Sequence, residues 1–305
     1  MVNAVASTTT TNWWVYAVYG FGILAGSTGP IFLRLALAEG VPTPVITVCR
    51  LMVACLLLTP LTLNRYQAEL RRLSKRDVII GIIAGILFAA QMILMFEAYV
   101  FTSVLIAGVL IGSIPLWTLL MERFILHAHF NRMVWIGLGL ALVGGALIGL
   151  AGIDSTNVVS TGLLLGGSLA LAAALMGSLY LILGRTVRNH MSLIPFLWLI
   201  FTSGAVTSLV LLLVSDYDLT GYTSEGYFWV LMIAIFPQII AHGSFNYLLA
   251  HFSATVVSIS SQIITVISAV GAFFIFAELP GPLQFIGSAI IIVGVTLTLI
   301  GQSRH

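Results

Sequence analysis

Residues 98–117, AYVFTSVLIAGVLIGSIPLW, and residues 133–150, MVWIGLGLALVGGALIGL, decide the reading of this chain because both return 150 residues later. The first falls on LLAHFSATVVSISSQIITVI at 248–267 and the second on LQFIGSAIIIVGVTLTLI at 283–300. The register holds without a gap across both segments and the loop between them. Ser103 lies over Ser253, Ile114 over Ile264, and Phe124-Ile125 over Phe274-Ile275. Scattered matches arise by chance in an alphabet rich in Leu, Ile and Gly. The paired IG steps at 136–137 and 286–287 and VG steps at 143–144 and 293–294 carry more weight. We read an internal duplication, with a first copy over 14–151, a second over 160–301, and function expected between them.

Composition names the solvent. Of 305 residues, 60% are hydrophobic and 7% are charged, against ~25% charged in soluble domains. Most of this surface must therefore face lipid. The net charge of +2 and the absence of a basic run exclude a nucleic-acid partner. Cys49 and Cys55 share one apolar segment, so neither a disulfide framework nor a metal cluster is implied. The first twelve residues lack a basic region and a cleavage site, so the first apolar segment is expected to be a retained span.

A span needs ~20 mostly apolar residues to cross ~30 Å of hydrocarbon. Ten segments qualify: 14–36, 44–63, 78–100, 103–121, 133–151, 160–183, 193–214, 227–249, 255–276 and 282–301. The predicted fold is thus an all-α integral membrane protein of ten transmembrane helices. With the N-terminus in the cytoplasm, the inner loops and tail collect ten of the twelve basic residues, and both termini come out cytoplasmic. Five spans separate equivalent positions, and five is odd. The copies are therefore expected to insert as two inverted five-helix repeats, an arrangement that gives transporters two states open to opposite sides and a site near the midplane.

Four stretches bear on family: YAVYGFGILAGSTGPIFLRLA at 16–36, ITVCRLMVACLLLTP at 46–60, GLLLGGSLALAAALMGSLYLILGRTVRN at 162–189, and SATVVSISSQIITVISAVGAFFIFAELPGPLQFIGSAIIIVGVTL at 253–297. Together they resemble an EamA-type member of the drug/metabolite transporter superfamily over nearly the whole chain. The resemblance implies secondary transport of small metabolites, with export of an amino acid or similar polar compound favoured, from a bacterial inner membrane. The closing signature places Glu278 after the ninth span, whereas the first copy has Ala128 opposite it. Pro115 is answered by Thr265, where the family often has Pro.

Polar side chains inside the spans are the candidate site. Gln91, Met92 and Phe96 share a face of span three, and Gln238, His242 and Asn246 share a face of span eight. Ser113 and Trp117 on span four and Gln262 on span nine complete the expected substrate-binding set. Buried amides need partners in hydrocarbon, and so many together point to a water-accessible cavity. His242 reads either as the acceptor of a coupling proton or as a neutral hydrogen-bonding wall residue. Arg50, six residues into span two, is expected to pair with Glu97. With Arg34 these two would form an outer charged cluster, acting as a gate, an ion pair or a site for a zwitterion's charged ends. The alternative is a cation or polyamine exporter using Glu97; a non-transporting membrane subunit or sensor is more distant. Glu122, beside Arg123, reads as interfacial and inert. Pro30, Pro115 and Pro237 are expected to kink their helices, and GxxxG pairs at 22/26, 81/85, 108/112, 145/149 and 162/166 to pack them. No Walker A loop, GxSxG or HExxH occurs, so neither an enzyme nor a cofactor is expected. Monomer and homodimer both fit the sequence.

Overall fold

A computed structural model of the chain describes residues 13–101, 107, 110–151, 163–188, 190–215, 217–276 and 281–302. Glu278 lies outside the described residues, as do Ser103 and the start of the expected fourth span. Every regular element among the described residues is helical. We number them α1 (Trp13–Ser27), α2 (Gly29–Ala38), α3 (Thr43–Arg65), α4 (Gln67–Arg72), α5 (Lys75–Phe101), α6 (Ile114–Ile125), α7 (Arg132–Ala151) and α8 (Leu163–Arg188). There follow α9 (Leu193–Leu213), α10 (Ser224–Ile233), a π-helical segment (Ala234–Ala241), α11 (His242–Leu248), α12 (Ala254–Ser260), α13 (Ile263–Phe276) and α14 (Pro282–Gln302). Seven helical stretches are long and apolar enough to cross a membrane, and two shorter apolar helices, Arg132–Ile148 and Phe285–Gly301, accompany them. The outward faces carry Leu24, Leu56, Ile83, Val210 and Phe274, as a lipid-facing surface requires. This is a multi-pass membrane protein.

Several spans are broken, and proline accounts for three of the breaks. Pro30 sits in the first turn of α2, where its missing N–H needs no partner; the chain turns at Thr28, whose hydroxyl donates to Ala25 O at 2.7 Å. Pro115 occupies the same position at the start of α6, after a turn in which Ser113 N–H donates to Leu110 O at 3.2 Å. Pro237 lies inside the π segment, where the His242 N–H reaches back to Pro237 O and the helix loosens by one residue per turn.

The fourth break has no proline. Between α12 and α13, Gln262 N–H donates to Ile259 O and Ile264 N–H to Ser261 O, tightening the turn at Ser261-Gln262. Ser258 and Ser261 hydroxyls each donate 2.8 Å to the carbonyl three residues back, and such bonds compete with the helical ladder.

Close packing concentrates at glycine. A methyl group on Gly137 would come within 2.4 Å of Gly294 O, and one on Gly144 within 2.6 Å of Gly287 O. Numbering descends on α14 as it climbs on α7, so the two helices cross antiparallel. Gly137 and Gly287 lie 150 positions apart, as do Gly144 and Gly294, so each helix offers the other two glycines at the same spacing. The GxxxG reading fails at Gly145, which has nothing within 4 Å of a placed Cβ, because the contacts run along the IG and VG steps instead. It holds at Gly22 and Gly26, which meet Ser244 and Ile264, and at Gly81 and Gly85, which meet Leu199 and Ser203.

Candidate substrate cavity

A cavity of about 780 Å³ opens among α5, α6, α7, α8, α11, α12 and α13. Phe88 and Gln91 of α5 line one side; Gly177, Tyr180 and Leu181 of α8 and His242 and Phe245 of α11 line another. The two span breaks supply Gly112, Ser113 and Pro115 from the first copy and Ser258, Ser261, Gln262 and Thr265 from the second. Leu142, Ala146 and Ile148 carry the lining up α7.

Polar groups on this wall are held in place. Gln262 Nε2 donates to Gly112 O at 3.0 Å, and positions 112 and 262 are equivalent in the duplication, so one hydrogen bond joins break to break. Trp117 stands behind the wall and donates from Nε1 to Ser113 Oγ at 3.0 Å. Asn246 also stands behind it, donating from Nδ2 to Tyr180 Oη at 2.6 Å and to His242 O at 2.7 Å. Phe88 packs edge-on to His242 at 4.8 Å between centroids and lies 5.1 Å from Tyr180. Gln91 fits because its neighbour is glycine: a Cβ on Gly177 would meet the Gln91 amide at 2.7–2.9 Å.

Of the expected binding residues, Gln91, Ser113, His242 and Gln262 therefore line the cavity, while Trp117 and Asn246 orient residues that do. Gln238 is fully buried outside the lining, with neither amide atom hydrogen-bonded. Met92 turns instead into the apolar cluster formed by α3, α5, α8 and α9, and Phe96 is also off the lining. One α-helical face is too wide for all of these residues to reach one void.

Among the described residues, no ion pair joins Arg34, Arg50 and Glu97 into the expected outer cluster. Arg34 stacks its guanidinium 4.3 Å over the Phe276 ring. Glu97 is exposed, and no ion pair joins it to Arg50 among the described residues. Arg50 keeps Nε and Nη2 sealed from solvent without a hydrogen-bond partner.

Glu122 corrects the sequence reading most sharply. It is 1% exposed. Its Oε1 accepts from Ala254 N at 2.8 Å, and its Oε2 accepts from Thr255 N at 2.9 Å and Thr255 Oγ1 at 2.6 Å. Arg185 Nη1 stands 3.3 Å from Oε1, an ion-pair distance without hydrogen-bond geometry. The carboxylate thus caps the N-terminus of α12, where backbone donors and the helix dipole favour negative charge, and ties α6, α8 and α12 together. At the same end Arg188 Nε donates to Asn246 O at 3.0 Å, and Ser192 N–H donates to Glu69 Oε1 at 2.7 Å. Ile148, by contrast, lies sixteen residues along α7 from Arg132, about 24 Å at ~1.5 Å per residue. The cavity therefore extends toward the end remote from Glu122.

Apolar helices thus surround a part-polar cavity, and no metal-binding cluster occurs among the described residues. The model of the EamA-like transporter family matches the chain twice, at residues 12–150 and 164–300. The chain belongs to that family, within the drug/metabolite transporter superfamily, and is a transporter rather than an enzyme. It is similar to the uncharacterized transporter YdfC of Bacillus subtilis (strain 168), with 22% identity over 199 residues, 65% of this chain. The match spans 63% of that relative's length. A solved structure, described only as the crystal structure of a protein, superposes with a TM-score of 0.81 at 17% identity, covering 96% of this chain and 98% of that one. At that identity the likeness is one of fold.

Proposed function

We propose that this protein is a secondary active transporter that exports small polar metabolites, amino acids or related compounds, by alternating access. In this reading ten transmembrane helices form two inverted five-helix repeats, over 14–151 and 160–301, in the cell inner membrane with both termini cytoplasmic. The observation that carries it is the cavity itself. It lies where two span breaks 150 positions apart meet, and it mixes apolar walls (Phe88, Leu181, Phe245) with polar groups (Gln91, Ser113, His242, Gln262). The reciprocal antiparallel contact of α7 and α14 supports the inverted relation. Such a wall suits a compound with a polar head and an apolar side chain. The cation-export reading gains nothing from Glu97, which is exposed and off the lining.

The test is counterflow in proteoliposomes with a panel of labelled amino acids, polyamines and quaternary amines. Amino-acid flux that falls at least tenfold in Gln91→Ala and His242→Ala supports the assignment. Flux of cations alone, or of none of the panel, would overturn it. Repeating the assay with an imposed pH gradient decides whether His242 carries a coupling proton.

A further inference from the structure

Arg50 and Gln238 are among the side chains whose buried polar atoms the fold leaves without partners. Arg50 has Nε and Nη2 sealed from solvent and unbonded, and Gln238 has both Nε2 and Oε1 in the same condition. A polar group left unbonded inside a bilayer-spanning bundle is destabilising. No described carboxylate answers Arg50: Glu122 stands with Arg185, Glu39 accepts from Thr223, and Glu97 is exposed. Helix α3, which carries Arg50, packs on the π segment, which carries Gln238. His242, four residues after Gln238, lines the cavity.

The identity of the unbonded atoms specifies the ligand. Nε and Nη2 form one edge of the guanidinium, the edge that grips two oxygens of a planar anion in parallel hydrogen bonds. Gln238 Nε2 is a third donor. The geometry points to an anion subsite at Arg50 and Gln238 that takes the carboxylate of the transported compound, the rest of which lies in the cavity beyond His242. This rests on the metabolite-transport reading above and narrows it to carboxylate-bearing substrates.

The experiment measures binding to the detergent-purified full chain in chloride-free sulfate buffer, using L-leucine, L-leucinamide and sodium chloride as probes. Leucine should bind at least tenfold tighter than its amide, which has the same side chain and amine but no carboxylate. That ratio should collapse toward one in Arg50→Gln. It should fall severalfold in Gln238→Leu and in Arg50→Lys, which keeps the buried charge and serves if Arg50→Gln fails to fold. Equal binding of leucine and leucinamide by the native protein, a ratio unchanged in all three variants, or no binding of any probe would overturn the subsite. Chloride binding that depends on Arg50, with no preference for leucine, would overturn the substrate assignment and leave an inorganic-anion site. If leucine flux in proteoliposomes persists while the ratio is one, only this inference fails. If the ratio stands but no amino acid is transported, the transport reading fails instead.

Discussion

Glu122 follows Met121 and precedes Arg123 near the end of an apolar run, a context in which a carboxylate usually meets water. Burial changes its meaning. Two backbone N–H groups and the Thr255 hydroxyl have it as their acceptor, and leaving a buried donor unmet costs about 1–3 kcal/mol each. The ion pair adds less, since a third of the Arg185 side chain is exposed. Glu122→Ala should therefore lower the unfolding temperature in detergent clearly, and Glu122→Gln, which keeps one acceptor oxygen, by a smaller amount. A melt of Glu122→Ala that overlays wild type would show the cap to be idle. Local sequence holds no trace of this role, because Ala254 and Thr255 lie more than 130 positions away. Tyr180 was equally silent, although a lone tyrosine deep in a span must find a partner for its hydroxyl, and that requirement was a usable signal.

Among the elements, the antiparallel pair α7–α14 is the tightest and the most exacting. A Cβ at Gly144 meets backbone, Gly287 O at 2.6 Å, which no side-chain rotation relieves. Gly144→Ala should force the helices apart and cost about 1–3 kcal/mol, the usual penalty of overpacking. Gly145→Ala, one position on, points into open space and should stay within about 0.5 kcal/mol of wild type. Paired thermal melts of the two variants decide the point, and equal destabilisation would refute the packing assigned here. The sequence held this contact in its IG and VG steps, yet the GxxxG motif pointed to Gly145. Spacing identifies small residues, whereas helix rotation decides which of them face a neighbour. The kinks divide in the same way. Three followed proline, which cannot donate, and the fourth came from serine hydroxyls whose effect is too weak to read without the surrounding fold.

At the scale of the whole molecule, the cavity lining runs along α7 to Ile148, away from Glu122. In a background with Cys49 and Cys55 replaced by serine, Ile148→Cys should react with a membrane-impermeant thiol reagent added from that side only. Adding Glu122→Gln should increase labelling of Ser261→Cys from the opposite side, as the contacts of α6, α8 and α12 loosen. Labelling of Ser261→Cys that is indifferent to Glu122 would show that this end is not held by the carboxylate. Composition and hydropathy were enough to determine a multi-pass helical membrane protein, and the resemblance of four stretches pointed to its family. Hydropathy and register are properties of the chain itself, and they survive without coordinates. Tertiary structure alone decided which polar residues share the cavity, that Met92 and Phe96 turn away, that Arg50 lacks Glu97, and that Glu122 caps a distant helix. Each of these depends on helix rotation and on contacts between residues far apart in sequence, which periodicity along one helix does not encode.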